Sequence, residues 1–504
     1  MFMKKTAFIL AGLILALSVT SCSGTDTEST DSGNAAGNGV QAETQESDAL
    51  EETAAPEEAE PTRESISDDL PERNYDGYDF CIVTRGRDDF IKDIGADLEL
   101  TGDVVNDAYY NRNIAVMDRF NINITGEYVD QNNVAVHTAV EATVMAGDDA
   151  YGMAVNQCTN MAAVGPSGLY LDWYTQLPYV NLKKPWYIGN AADVLSVHGH
   201  AYAMAGEWNM DIMRFTSAFF YNRNIATDYD LENIYTVVNE GRWTLDYLMT
   251  LADTVYEDLN ADGKKDFSDR LAVAGDPYDH AIFYQYAFDI PIARQDTDGF
   301  PTIVLDQEKA HDSVVKLNTM YWDSIGGKTQ DWGSGAETWF AGNLLCLTGT
   351  ISDAAAFGNV EFDYAIIPYP KYNEAQEAYY SSSAGAHGLE TIPISVTDRE
   401  KASIIVEALN AETYKKVVPA YFETTLKTRY SRDEESSRIL EMLVDARVFD
   451  FGFMNRAGLH KVFWDLISTN QDNTASKYAS LIPATEKLYS EIIDGYLKLE
   501  ETLN

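Results

Sequence analysis

The sequence predicts an α/β fold built on a largely parallel sheet, and three observations carry that expectation. Segments of helical period alternate with short apolar runs of strand type along the body of the chain. Apolar residues make up 45% and charged residues 23% of 504 residues, ordinary globular usage that supports a sizeable packed core. Four cysteines are too few for a disulfide scaffold to replace that core. Charge narrows the partners. With 36 Lys+Arg against 80 Asp+Glu the net charge is −44, so phosphate backbones and anionic lipid surfaces are repelled and no nucleic-acid partner is expected. The 31 Tyr exceed the 20 Phe, which points to aromatic surfaces with one packed and one wet edge.

At the N-terminus Lys4 and Lys5 precede an apolar run from Ala7 to Val19. A spanning helix needs about 20 apolar residues, so residues 1–21 read as a secretory signal peptide. The run ends in Leu17-Ser18-Val19-Thr20-Ser21-Cys22, which resembles a bacterial lipobox. Small residues let the peptidase take the backbone extended, and the Cys22 thiol would carry a thioether-linked lipid. The acyl chains are then the sole expected membrane attachment, because no later segment approaches ~18 uninterrupted apolar residues. Residues 22–75 are Ser/Thr/Gly/Ala-rich and then acidic, with no aromatic before Tyr75. Like charges with little apolar surface cannot offset ordering entropy, so this stretch reads as a disordered tether that leashes an extracytoplasmic domain.

The body opens with a strand-like run, Tyr78–Thr84, and a polar turn at Arg85–Asp89. A helix is expected at Asn106–Phe120, a strand at Ile122–Tyr128, a helix at Val134–Ala146 and a strand at Tyr151–Val155. In sheets of this kind ligands sit beyond the carboxyl ends of the strands, which makes Arg85, Asp88, Asn156 and Gln157 candidate binding residues. No solenoid-period repeat is present. Cys81 and Cys346 lie in apolar strand runs and, with Cys158, read as free thiols. His198 and His200 lack a third ligand at zinc spacing.

The phrases "NDAYYNRN", "LPYVNLKKPWYI" (177–188), "GRWTLDYLMTLA" (241–252), "IIPYPKYNEAQEAYYS" (366–381) and "VEALNAETYKKVVPAYFETTLKTRYSRDEES" (406–436) resemble family-1-like extracellular solute-binding proteins, lipoproteins that deliver oligosaccharides and similar solutes to ABC importers. The resemblance implies a two-lobed, type II periplasmic-binding-protein-like fold with a ligand cleft between the lobes, sealed by hinge closure. It places chain crossings near 201–206, 362–366 and 410–413. Lobe one is then 76–205 plus 363–412, and lobe two 206–362 plus 413–504. It also implies ABC permease subunits as partners, a monomer and no enzymatic activity.

Two further patterns bear on the site. Asp258, Asn260, Asp262, Lys264 (through its carbonyl), Asp266 and Asp269 fit the ligand spacing of an EF-hand-like calcium loop with Gly263 at the turn, although Asp269 replaces the long closing Glu. A structural Ca2+ is therefore expected. Sugars offer C–H faces to aromatic rings and hydroxyls to polar side chains. Trp208 and Asp211 at the first crossing, Trp332 and Trp339 around a Gly-Ser-Gly turn, and Ser352 after the "LCLTG" run are accordingly the lobe-two and hinge candidates. Trp243 and Trp464 fall within helical periods and read as core. The leading function is capture of an oligosaccharide. A peptide or polyamine receptor and a ligand sensor are the alternatives, and a secreted glycoside hydrolase, needing two carboxylates roughly 5–9.5 Å apart, is a remote one.

Overall fold

The computed structural model describes residues 62–276, 278–329, 334–426 and 434–503. The signal peptide, Cys22, the first part of the tether and Trp332 lie outside them. In chain order the strands are β1 (Tyr78–Arg85), β2 (Ile122–Val129), β3 (Met153–Gln157), β4 (Ser217–Asn222), β5 (Tyr256–Glu257), β6 (Arg270–Gly275), β7 (Ala293–Gln295), β8 (Pro301–Ile303), β9 (Gly327–Thr329), β10 (Leu344–Thr350), β11 (Tyr364–Ile367) and β12 (Gly388–Thr391). One sheet has the order β2-β1-β3-β12, with β1 parallel to β2 and β3 and β12 antiparallel to β3. The second has β11-β4-β10-β6, with β5 and β9 both pairing β6.

The second sheet is less parallel than the sequence pattern suggests, because β4 runs against both β10 and β11. The cause is where the chain enters. β4 and β12 are the first strands after a crossing between sheets, so each starts at the edge where β1, β3, β6 and β10 end and must run the other way. Buried apolar side chains form two clusters, one on each sheet. Phe80, Met153, Trp173, Trp186 and Leu389 belong to the first. Phe219, Trp243, Val273, Trp339 and Leu347 belong to the second.

Three expected boundaries shift. β11 pairs with β4, so residues 364–367 belong to lobe two and the return crossing falls between Ile367 and Gly388. The stretch after 413 is not all lobe two, since Phe449, Phe451, Met454, Tyr489, Ile492 and Tyr496 pack into the first cluster. The helix Thr474–Leu503 thus serves both lobes, with Tyr478 in the second cluster and Tyr489 in the first. Residues 62–75 are also held to the body rather than free: Asp68 pairs with Arg119 at 2.5 Å, Asp69 with Lys184 at 2.6 Å and Arg73 with Glu400 at 2.9 Å. A local composition argument cannot see opposite charges supplied by distant segments.

The helix expected at Asn106–Phe120 forms as Val104–Phe120, with Asp103 capping its start by accepting from the Asn106 amide at 2.7 Å. From it, buried Arg112 and Asn113 reach the end of the helix Asp88–Ile94. Arg112 donates to the carbonyls of Asp93 (2.6 Å) and Ile94 (3.0 Å), and Asn113 Nδ2 to those of Ile94 and Gly95 (2.9 Å each). Those carbonyls have no partner inside their own helix, so the Arg-Asn pair fixes the end of this helix and the loop that leaves it. It also holds Asp93 in place to receive Arg214 through two bonds of 2.7 and 2.8 Å.

Candidate functional site

Two crossing segments, Arg214–Thr216 and Ser381–Gly388, run together between the sheets. Ser217 N donates to Ser382 O (2.8 Å), Ala384 N to Phe215 O (3.0 Å), and Gly388 N to Asp211 Oδ2 (2.8 Å). On one side they meet the end of β3, where Gln157 Nε2 donates to Gly385 O (2.8 Å) and Cys158 N to His387 O (3.0 Å). On the other they meet the end of β10, where Ile351 N donates to Thr216 O (2.9 Å). The carboxyl ends of both sheets therefore converge on one hinge. A recess there is lined by Asp279, Phe283, Tyr286, Ser383, Gly385 and Phe453. A Cβ at Gly385 would lie 3.0 Å from Phe453 and 3.1 Å from Thr159, so glycine allows this close approach.

Arg85 closes the lobe-one side. It is 4% exposed, donates from Nη1 to Gln157 Oε1 (2.8 Å) and from Nη2 to the Ala386 carbonyl, and lies over the Phe90 ring. Burial lowers its pKa, against the pull of Asp211. Asp211 is wholly buried, and its pKa is raised well above the carboxylate range by that burial and then by Asp93. Several buried polar atoms here complete no hydrogen bond: Arg85 Nε, Thr159 Oγ1, Asn160 Nδ2, Asp211 Oδ1, Ser382 Oγ and His387 Nε2. Polar groups left unsatisfied by protein at a hinge are what a hydroxylated ligand or bound water requires.

Of the sequence candidates, Arg85, Gln157 and Asp211 meet at the hinge. Asp88 is exposed at the start of its helix, and Ser352 Oγ lies 2.9 Å from Thr350 Oγ1 at the end of β10. Three others are corrected. Asn156 is fully buried, its Nδ2 donating to Tyr170 and Thr391, because it points to the opposite face of β3 from Gln157. Trp208 is 1% exposed and packed beside Arg112, and Trp339 is wholly buried among Phe357, Phe362 and Tyr364. Large rings near a crossing or a Gly turn were drawn into core because packing rewards their area.

The lobe-two wall was missed. After β6 come Asp276, Tyr278 and Asp279. Tyr278, 39% exposed, stands with its ring 5.0 Å from that of half-buried Trp464, which the helical period had placed in the core. Asp276 accepts from the Tyr278 amide (2.7 Å), and burial pushes its carboxyl up to about 6. Burial also raises Asp279, against the opposing charge of Arg456, an exposed cation with no ion-pair partner among the described residues. The rule that pointed to Arg85, residues at and just past a strand end, finds this wall when applied to β6 (Arg270–Gly275).

In the Asp258–Asp269 loop, Gly263 has φ +75°. Asp258 and Asn260 both accept from the Asp262 amide, Asp258 also from Gly263, and Asp266 from Ser268. Asp269 is buried, and accepts from the Asp266 amide (2.9 Å) and Tyr256 OH (3.2 Å). Among the described residues no three His, Cys, Asp or Glu side chains converge as a metal site. His200 is bonded to Asp172 (2.8 Å) and His198 to Glu500 (3.0 Å).

No protein-family model matches the chain, and no curated protein matches it. Solved structures do. UspC of Mycobacterium tuberculosis is 13% identical with a TM-score of 0.54, covering 83% of this chain and 100% of its own. The galacto-N-biose-/lacto-N-biose I-binding protein of the ABC transporter from Bifidobacterium longum, solved with lacto-N-biose, is 14% identical with a TM-score of 0.50, covering 84% and 98%. UgpB of M. tuberculosis, solved with glycerophosphocholine, is 14% identical with a TM-score of 0.50, covering 83% and 99%. With two sheets meeting at a shared hinge, the chain has the two-lobed α/β fold of the solute-binding proteins of ABC transporters.

Proposed function

We propose that this chain is a lipid-anchored extracytoplasmic receptor that captures an oligosaccharide in the hinge cleft and delivers it to an ABC permease. The observation that carries the reading is the composition of the two cleft walls. Lobe one brings Arg85 and buried polar groups without a partner to the crossings, and from lobe two Asp279 lines the recess there, next in sequence to the half-exposed Tyr278 ring that stands against Trp464. Hydroxyls suit the first wall and a sugar's C–H face the second. A ligand that touches both lobes binds the closed state better than the open one, and only that difference drives closure. No helix among the described residues is long and apolar enough to cross a membrane, and attachment is assigned to a lipid on Cys22. The Asp258–Asp269 loop is assigned to Ca2+, on its spacing and the positive φ of Gly263.

Calorimetric titration of the purified protein against an oligosaccharide panel tests the reading. One-to-one binding at micromolar or tighter affinity, with the glycan recovered intact, is the expected outcome. Shortened glycan would make the protein a hydrolase. Silence across the panel from folded protein would overturn the carbohydrate assignment. In that event Asp279 in the recess, with Asp276 near it, favours a cationic peptide or polyamine.

A further inference from the structure

A second cavity, of about 320 Å3, lies outside the cleft and shares one wall with its recess, the Tyr286 ring. Its apolar lining comes from three parts of the fold. Val194 belongs to lobe one, Tyr286 sits in the last turn of the lobe-two helix Asp279–Ala287 with Ile290 and Pro291 just after it, and Phe449 and Phe451 lie on the returning segment. The size is within the range of small-ligand sites, about 300–1,000 Å3. Tyr286 is 5% exposed, and its hydroxyl lies beside Asp450. The lining is therefore mainly apolar, with Asn190, Gln295, Arg294, Asp193 and Asp289 among its polar members.

The mouth is acidic. Asp289 pairs with Arg294 at 3.2 Å, which leaves Asp193, exposed and with no ion pair among the described residues, as the uncompensated charge. An adjoining groove of about 560 Å3 shares Asp289 and Tyr380 with the cavity and adds Asp306, Glu308, Asp312 and Glu377 against the single Lys309. An apolar chamber opening on carboxylates selects for a molecule of matching polarity: an apolar body carrying a positive end.

We propose that this cavity is a second small-molecule site, for an organic cation whose aromatic or branched aliphatic body enters between Tyr286, Phe449 and Phe451 and whose ammonium group stays at the Asp193–Asp289 mouth. The proposal does not rest on the carbohydrate reading, since no lining residue except Tyr286 reaches the cleft recess.

Saturation-transfer NMR and calorimetry with 2-phenylethylammonium on the full chain test it, beside 2-phenylethanol, which keeps the body, and ethylammonium, which keeps the charge. Saturable one-to-one binding of the first, at least about tenfold tighter than either control, is expected; two attractions lost separately should each cost that much. Asp289→Asn, which suits the residue's φ of 52°, should weaken binding several-fold, and Val194→Phe should block it by filling the chamber. If Val194→Phe does not fold, the Asn variant alone carries the location. Equal binding of 2-phenylethanol, no binding at all, or binding that Asp289→Asn leaves unchanged each overturns the proposal.

Discussion

Arg85 keeps its charge in the hinge without a carboxylate in hydrogen-bonding contact, because Gln157 and the Ala386 carbonyl receive it and the Phe90 ring covers its face. A guanidinium solvated by neutral acceptors can turn toward a ligand hydroxyl without breaking an ion pair. Arg85→Met should therefore weaken ligand binding by at least about tenfold, near 1.4 kcal/mol, while urea unfolding changes little. Calorimetry and a denaturation curve on the same sample check both halves, and an unchanged dissociation constant removes Arg85 from the site. Trp208 behaves in the opposite way. Its ring is buried beside Arg112 and its amide donates to Asn410 Oδ1 (2.9 Å), so it holds the first crossing rather than a ligand. Trp208→Ala leaves a cavity in the hinge and should lower the unfolding free energy by about 3–5 kcal/mol. A variant of wild-type stability that fails to bind would return Trp208 to the cleft.

Among the elements, the Asp258–Asp269 loop makes the sharpest demand on a measurement. Asp258, Asn260 and Asp266 accept from the loop's own amides, Asp269 Oδ1 is buried without a partner, and Lys265 Nζ ties the loop to the carbonyls of Ser324 (2.7 Å) and Gly327 (2.8 Å). Calcium binding requires Asp258, Asp262, Asp266 and Asp269 to turn inward together. If they do, millimolar Ca2+ raises the melting temperature by several degrees through mass action and Asp258→Asn abolishes the rise. No shift with Ca2+ leaves a loop closed by Asx turns. The loop was legible in sequence because its residue types recur at fixed short spacing, as were the helix Val104–Phe120 and strands β1 to β3. Placement across long separations was not. Nothing near Tyr278 announces that Trp464 stands beside it, and nothing in Asp68 names Arg119 as its partner. The antiparallel course of β4 follows from the hinge, which exists only once both lobes have formed.

At the scale of the molecule, the first crossing is fastened to lobe one by a buried acidic network. Met204 and Glu390 exchange two backbone bonds of 2.9 Å, Asn410 Nδ2 donates to Glu390 Oε2 (2.8 Å), and Glu407 receives Trp186 and Tyr187. A Cβ at Gly206 would come within 2.1 Å of Asn410 Oδ1 and 2.5 Å of Glu390 Oε1, so the crossing can pass here only as glycine. Burial pushes the Glu390 carboxyl up to about 8, against the Asn410 bond and aided by the charges of Glu407 and Glu207; burial likewise pushes Glu407 up to about 7. Both groups hold a proton in the folded protein at pH values where the unfolded chain, with glutamate near its ordinary pKa of about 4.3, has lost it. Folding therefore takes up protons in that window, and stability falls as pH rises from about 4.5 through about 8. The loss assignable to the pair is on the order of a few kcal/mol. Glu390→Gln reproduces the protonated shape without that group's titration, so the gap between urea midpoints measured at about pH 5.5 and about pH 8 should narrow in the variant to the share left by Glu407. A wild-type protein equally stable at both would mean that Glu390 is ionised in the fold, and that the hinge network is held by charge rather than by a shared proton.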